Sequence, residues 1–200
     1  EQSLGRLLQK VVRSVAARPD VACAQIWLVD TGDLCATCPR RPGCPDQSRC
    51  LHLVAGNGVP CSDAEPDAAR VDDLNARMPL GVGLLGKVAT DQESLLEDLD
   101  KQPGAIVGFD WLKQGQIRGL VAAPIIFNGE VLGVFNVFTR EVSPDQSRLW
   151  TRIFADHIGA AIANARAFEE IQRLKAQLEL ENSYLQEAVV EAKAFGDLVG

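Results

Sequence analysis

Sixteen residues constrain this chain more than any others: Cys35 to Cys50, CATCPRRPGCPDQSRC. Four of the six cysteines fall here, spaced C-x2-C-x5-C-x5-C, with Pro39 after Cys38 and Pro45 after Cys44. The residues between them are mostly Arg, Gly, Pro, Asp and Ser, which favour turns over a helix or a central strand. A loop this poor in apolar residues needs something other than a core to hold it. Four thiolates closing on one metal centre would do so, and such donor sets suit zinc or an iron–sulfur cluster. Three readings compete: a metal site on Cys35, Cys38, Cys44 and Cys50, a redox dithiol pair, and inert structural thiols. The clustering favours the metal site and leaves zinc and iron–sulfur open.

Composition narrows the setting. Of 200 residues, 46% are apolar and 24% charged, enough for one full core in a soluble globular chain. The net charge of −7 would repel nucleic acid and anionic lipid, so no nucleic-acid contact is expected. No run of eighteen apolar residues exists, so no membrane span is expected. The N-terminus EQSLGRLLQK lacks a signal-peptide core, and the expectation is a cytoplasmic piece of a longer protein. In a reducing compartment, clustered cysteines serve metals or redox chemistry rather than staples.

Read in order, Leu4, Leu7, Leu8, Val11, Val12 and Val15 recur at helical spacing after a Ser3 cap, and Arg18-Pro19-Asp20 stops the helix. Val21–Val29 is rich in strand formers. Cys23 within it reads as a small buried apolar residue, and Cys61 further on as a surface thiol. Cys50 opens a second strand, CLHLVAG, so the cysteine loop becomes the long tip of a hairpin. His52 shares a strand face with Cys50. It is a candidate fifth ligand or supporting donor, although a solvent-side strand histidine is the plainer reading. Residues 56–78 read as a polar loop.

Residues 81–88, GVGLLGKV, satisfy two phosphate-loop patterns, but Val88 stands where a Mg²⁺-binding hydroxyl is needed and no strand is expected to precede the glycines. The plain reading is a turn into a short helix, Leu84–Thr90. Ser94–Leu99 reads as a short extended piece. Residues 101–116 read as irregular; Phe109 and Trp111 there, with Arg118, could hold a small planar or anionic ligand. Gly119–Ile126 and Val131–Thr139 form a hairpin through Asn128-Gly129, and Pro124 suggests a bulge or an edge. Ser143-Pro144 opens a helix that runs to about Ala194. Its second half carries a heptad, with Ile171, Leu178, Leu185 and Ala192 at one seam position and Leu174, Glu181, Ala188 and Phe195 at the other. Such a seam pairs with a second copy, so a homodimer is expected.

This order of elements resembles a GAF domain over about residues 3–168. Gly119–Ile171 carries the likeness most specifically: GLVAAPIIFNGEVLGVFNVF, then a helix containing AIANAR. The resemblance implies an α+β fold, an antiparallel sheet flanked by helices, ending here in a long coiled-coil helix. It also implies a sensory module that binds a small ligand or cofactor and signals through its exit helix. The cysteine loop is an addition to the general pattern. The tail, AQLELENSYLQEAVVEAKAFGDLVG, is similar to the segment that joins a sensory domain to the AAA+ domain of sigma-54-dependent bacterial transcription activators. The expected layout is therefore a sensor over 1–168, with its cysteine loop at 35–50, a coiled-coil linker over 169–194, and the start of an AAA+ domain over 195–200. The expected function is signal sensing rather than catalysis, with the ATPase acting downstream in the same chain. Two alternatives stay open: a cysteine-dependent methionine sulfoxide reductase on a GAF-like fold, and a GAF sensor of a histidine kinase or cyclase.

Overall fold

A computed structural model describes residues 2–38, 41–58, 76–101, 115–142 and 145–197. The chain divides into two units, Glu1–Ala160 and Ala161–Gly200.

The first unit is built on one six-stranded antiparallel sheet, ordered β3-β2-β1-β6-β5-β4. The strands are β1 (Val21–Thr31), β2 (Arg49–Gly58), β3 (Arg77–Pro79), β4 (Leu95–Asp98), β5 (Gly119–Phe127) and β6 (Glu130–Thr139). β1 and β6 lie at the centre because their sequences can be buried on both faces: Cys23, Ala24, Ile26 and Val134 are wholly inaccessible. The α1 helix (Gln2–Ala16) packs on β1 and β2. Of its expected apolar stripe, Leu8, Val12 and Val15 are turned inward, whereas Leu7 is exposed. Gln9 joins it by donating to the Gly56 carbonyl at 3.0 Å. After the helix, the Val21 N–H donates to the Arg18 carbonyl across the turn that Pro19 enforces.

β5 and β6 meet through Asn128-Gly129, both at positive φ, 50° and 81°. A two-residue hairpin needs this conformation, and few other residue pairs supply it. Pro124 fits because β4 pairs with β5 only through Ala122, so Pro124 lies past the end of that ladder. A register shift follows at Ile125/Ile126. The α2 helix (Gly83–Asp91) lies against β3, β5 and β6, with Leu85, Val88 and Ala89 joining Trp27, Leu51 and Val134 in a core cluster.

Three expectations are corrected. A strand does precede the glycines: β3 is three residues long and pairs with β2, Pro79 facing Cys50. Its brevity and its proline hid it from periodicity. Gly86 is there for contact: an added Cβ would collide with the Pro79 carbonyl oxygen. Second, His52 is not a solvent-side histidine; its side chain is 13% exposed. β3 and the Asp33 turn cover the face that hydrophobic alternation alone had left to solvent. Third, Cys23 is buried as expected, but it is disulfide-bonded rather than a bare apolar thiol.

The long helix α3 (Asp145–Asp197) begins in the first unit, where Phe154 meets Phe135 at a centroid distance of 6.3 Å. The second unit is the rest of this helix. There Ile171, Leu174, Leu178 and Leu185 stand 60%, 44%, 63% and 61% exposed on the single chain. The helix start at Ser143-Pro144 and the residues from 198 to 200 lie outside the described residues. Among the described residues, no helix is long and apolar enough to cross a membrane.

Candidate functional site

The cysteine loop leaves the sheet where β1 ends and returns where β2 begins. Thr31 pairs with Arg49 and Asp30 with Cys50, so the loop is the tip of a hairpin that includes a central strand. Its base is closed by the Gly32 N–H donating to the Ser48 carbonyl at 2.8 Å. Asp46 orders the return: its Oδ1 accepts from the Ser48 N–H at 2.8 Å and from the Ser48 hydroxyl at 2.6 Å. This Asx turn is local chemistry that an Asp-x-Ser sequence supplies on its own. A short 3₁₀ turn, Arg41–Gly43, carries the chain to Cys44.

Cys35, Cys38, Cys44 and Cys50 are all free thiols of intermediate exposure. The Cys35 Sγ donates to the Gln47 carbonyl at 3.1 Å and the Cys44 Sγ to the Asp46 carbonyl at 3.0 Å. Two thiols thus converge on adjacent carbonyls. Burial pushes the Cys44 thiol up, and the charges of Cys35 and Cys38 push the same way. Burial also pushes Cys50 up to about 11, with the Asp33 charge the next cause and Cys35 and Cys44 contributing. Cys44 thus feels the charges of Cys35 and Cys38, and Cys50 those of Cys35 and Cys44, but among the described residues the four sulfurs do not close into one compact donor group. At neutral pH Cys44 and Cys50 are protonated, and only a cation would draw them to the thiolate.

Spacing puts Cys50 and His52 on one strand face but gives no sign of Asp33 beside them. Among the described residues, Asp33, Cys50 and His52 place their ligand atoms all within 4.8 Å of one another. Asp33 is clamped by Arg77, whose Nε donates to Oδ1 at 2.9 Å and Nη2 to Oδ2 at 2.6 Å. That guanidinium holds the Asp33 carboxyl down at about 2. The His52 pKa is lowered, chiefly by burial and then by the Arg77 charge, so the ring is neutral at pH 7. Its Nε2 lies 3.8 Å from Asp33 Oδ1, too far for a hydrogen bond, and is buried without a partner. Asp33 and Arg77 are 44 residues apart, so the pairing has no sequence signal, although Asp33 adjoins the loop and Arg77 adjoins Pro79.

The second expected site is less complete. Phe109 and Trp111 lie outside the described residues. Arg118 is an exposed residue whose Nε donates to Asp100 Oδ2 at 2.7 Å. On the α2 side of the sheet, Trp27 Nε1–H donates to Asn136 Oδ1 at 3.0 Å, and Asn136 Nδ2 to Gln25 Oε1 at 3.2 Å. Asn136 is wholly buried, a polar group inside the central strand that its setting in VLGVFNVFT did not announce.

A six-stranded antiparallel sheet with helices on its faces and a long C-terminal helix is the architecture of a small sensory domain. The GAF domain family's profile matches residues 1–163, and the chain belongs to that family. Solved structures agree on the fold. The GAF domain from a phosphoenolpyruvate-protein phosphotransferase of Coxiella burnetii is 21% identical, with a TM-score of 0.58 over 84% of this chain and 86% of that one. A type II free methionine-R-sulfoxide reductase from Thermoplasma acidophilum is 13% identical, with a TM-score of 0.57 over 82% and 94%. The A. aeolicus nlh2 GAF domain in an inactive state is 17% identical, with a TM-score of 0.54 over 80% and 85%. No curated protein sequence matches the chain.

Proposed function

We propose that this GAF domain is the signal-sensing module of a sigma-54-dependent bacterial transcription activator. It holds a metal centre, zinc or iron–sulfur, on Cys35, Cys38, Cys44 and Cys50, with His52 beside it. The signal is the redox or ligand state of that centre, and the output is a downstream ATPase domain in the same cytoplasmic chain. One observation supports the reading: four free thiols lie on the loop at the tip of a hairpin that contains a central strand. A change in the order of that loop therefore acts on the strand that organises the domain. The exposed stripe of Ile171, Leu174, Leu178 and Leu185 supports a dimeric exit helix. Coupling of this kind is typically worth about 1–3 kcal/mol, enough to bias an assembly equilibrium.

A GAF-type reductase is the second reading, since proteins of that activity share the fold. A catalytic cysteine needs a lowered pKa, and both Cys44 and Cys50 are pushed the other way. That favours a sensor. The test is ATPase activity of the full-length protein with the centre intact, with metal stripped, and with Cys44→Ser. The intact centre should differ from the other two states; equal activity in all three reduces the cysteines to a structural staple. Turnover of free methionine sulfoxide by the purified domain would instead establish the reductase.

A further inference from the structure

We infer that Asp33, Cys50 and His52 together seat a single divalent transition-metal ion, through one thiolate, one imidazole nitrogen and one carboxylate oxygen. The inference rests on the reading that this end of the hairpin binds metal, and it replaces the all-thiolate donor set with a mixed one.

Three observations point the same way. The first is preassembly. Cys50 and His52 alternate onto one face of β2, and Asp33 comes from the turn that follows β1. Their ligand atoms lie within 4.8 Å of one another with nothing bound. Zinc holds nitrogen and oxygen at about 2.0–2.2 Å and sulfur at about 2.3 Å, so small movements would close these three on one ion.

The second is an orphaned ring nitrogen. His52 Nε2 is buried and has no hydrogen-bond partner. A buried ring nitrogen with no partner is unfavourable, and a cation at that point satisfies it.

The third is outer support. Metal-ligating histidines usually give their second N–H to a carbonyl or carboxylate, and ligating carboxylates are themselves hydrogen-bonded. The second condition is met here: Arg77 backs Asp33 through two N–H groups. Arg77 does not exhaust Asp33, because Oδ1 accepts only the Nε–H from Arg77 and keeps a second lone pair. On binding, the Cys50 thiol gives its proton to solvent, while Asp33 and the neutral His52 release none. One thiolate, one imidazole and one carboxylate suit Zn²⁺, Co²⁺ or Fe²⁺ rather than Mg²⁺ or Ca²⁺. Three ligands leave a fourth position open, the arrangement by which a bound metal exchanges a small molecule.

The experiment is X-ray absorption at the zinc edge on the zinc-loaded protein, with zinc affinity measured by chelator competition for the parent, His52→Gln and Cys38→Ser. The expected shell is mixed, nitrogen or oxygen at about 2.0–2.2 Å beside sulfur at about 2.3 Å. Zinc should bind about tenfold or more weakly to His52→Gln, with Cys38→Ser close to the parent. A sulfur-only shell, or His52→Gln binding as tightly as the parent, overturns the mixed site and leaves four thiolates standing. A parent that takes up no zinc overturns the mixed site and a four-thiolate zinc site alike. Because the absorption spectrum is read on the parent, a misfolded variant does not blunt the test.

Discussion

Two residues show how closely the central sheet is fitted. Gly86 sits on the second turn of α2 where the helix meets β3, and any Cβ there collides with the Pro79 carbonyl oxygen. Backbone, unlike a side chain, has little room to give way. Gly86→Ala should therefore cost roughly 1–3 kcal/mol or more, read as a lower midpoint in urea. ATP should leave the parent's melting temperature unmoved, since Val88 stands where a Mg²⁺-binding hydroxyl is needed; a clear rise would revive the phosphate-loop reading. Trp27→Phe makes a different test. It keeps the ring's bulk but removes the N–H that satisfies buried Asn136. The expected loss is about 1–3 kcal/mol, and a neutral result would mean that the Asn136 carbonyl finds another donor.

At the scale of elements, α3 carries the clearest expectation. An amphipathic seam of Ile171, Leu174, Leu178 and Leu185, each largely exposed on one chain, is costly unless a second helix covers it. In the proposed dimer, Leu178→Asp would place a charge inside an apolar seam, at a cost of at least about 2 kcal/mol. Sedimentation should show the parent as a dimer and the variant shifted towards monomer; identical profiles would rule out this seam. The elements that were legible in the sequence are those whose signal is local. Asn128-Gly129 names its own turn, and α1 and α3 announce their faces by period. β3 was not legible, because three residues ending in proline have no period, and only their pairing with Cys50, Leu51 and His52 makes them a strand.

At the scale of the whole molecule, the cysteine loop could be found from sequence because four cysteines are clustered within sixteen residues. What lies beneath it could not. Asp33, Arg77 and His52 come from three separate segments, and only the pairing β3-β2-β1 brings them together. His52 was visible as a strand neighbour of Cys50, yet its burial depends on β3, which the sequence conceals. Phe109 and Trp111 stay an expectation, being outside the described residues. The account as a whole stands on this hairpin end being a metal centre. Protein purified anaerobically should be analysed for metal content and for its visible absorption spectrum. The account predicts at least about one equivalent of zinc per chain and no colour, or iron with sulfide and a brown spectrum. Well under one equivalent of any metal, with the Cys35, Cys38, Cys44 and Cys50 thiols reduced and titratable, would contradict it.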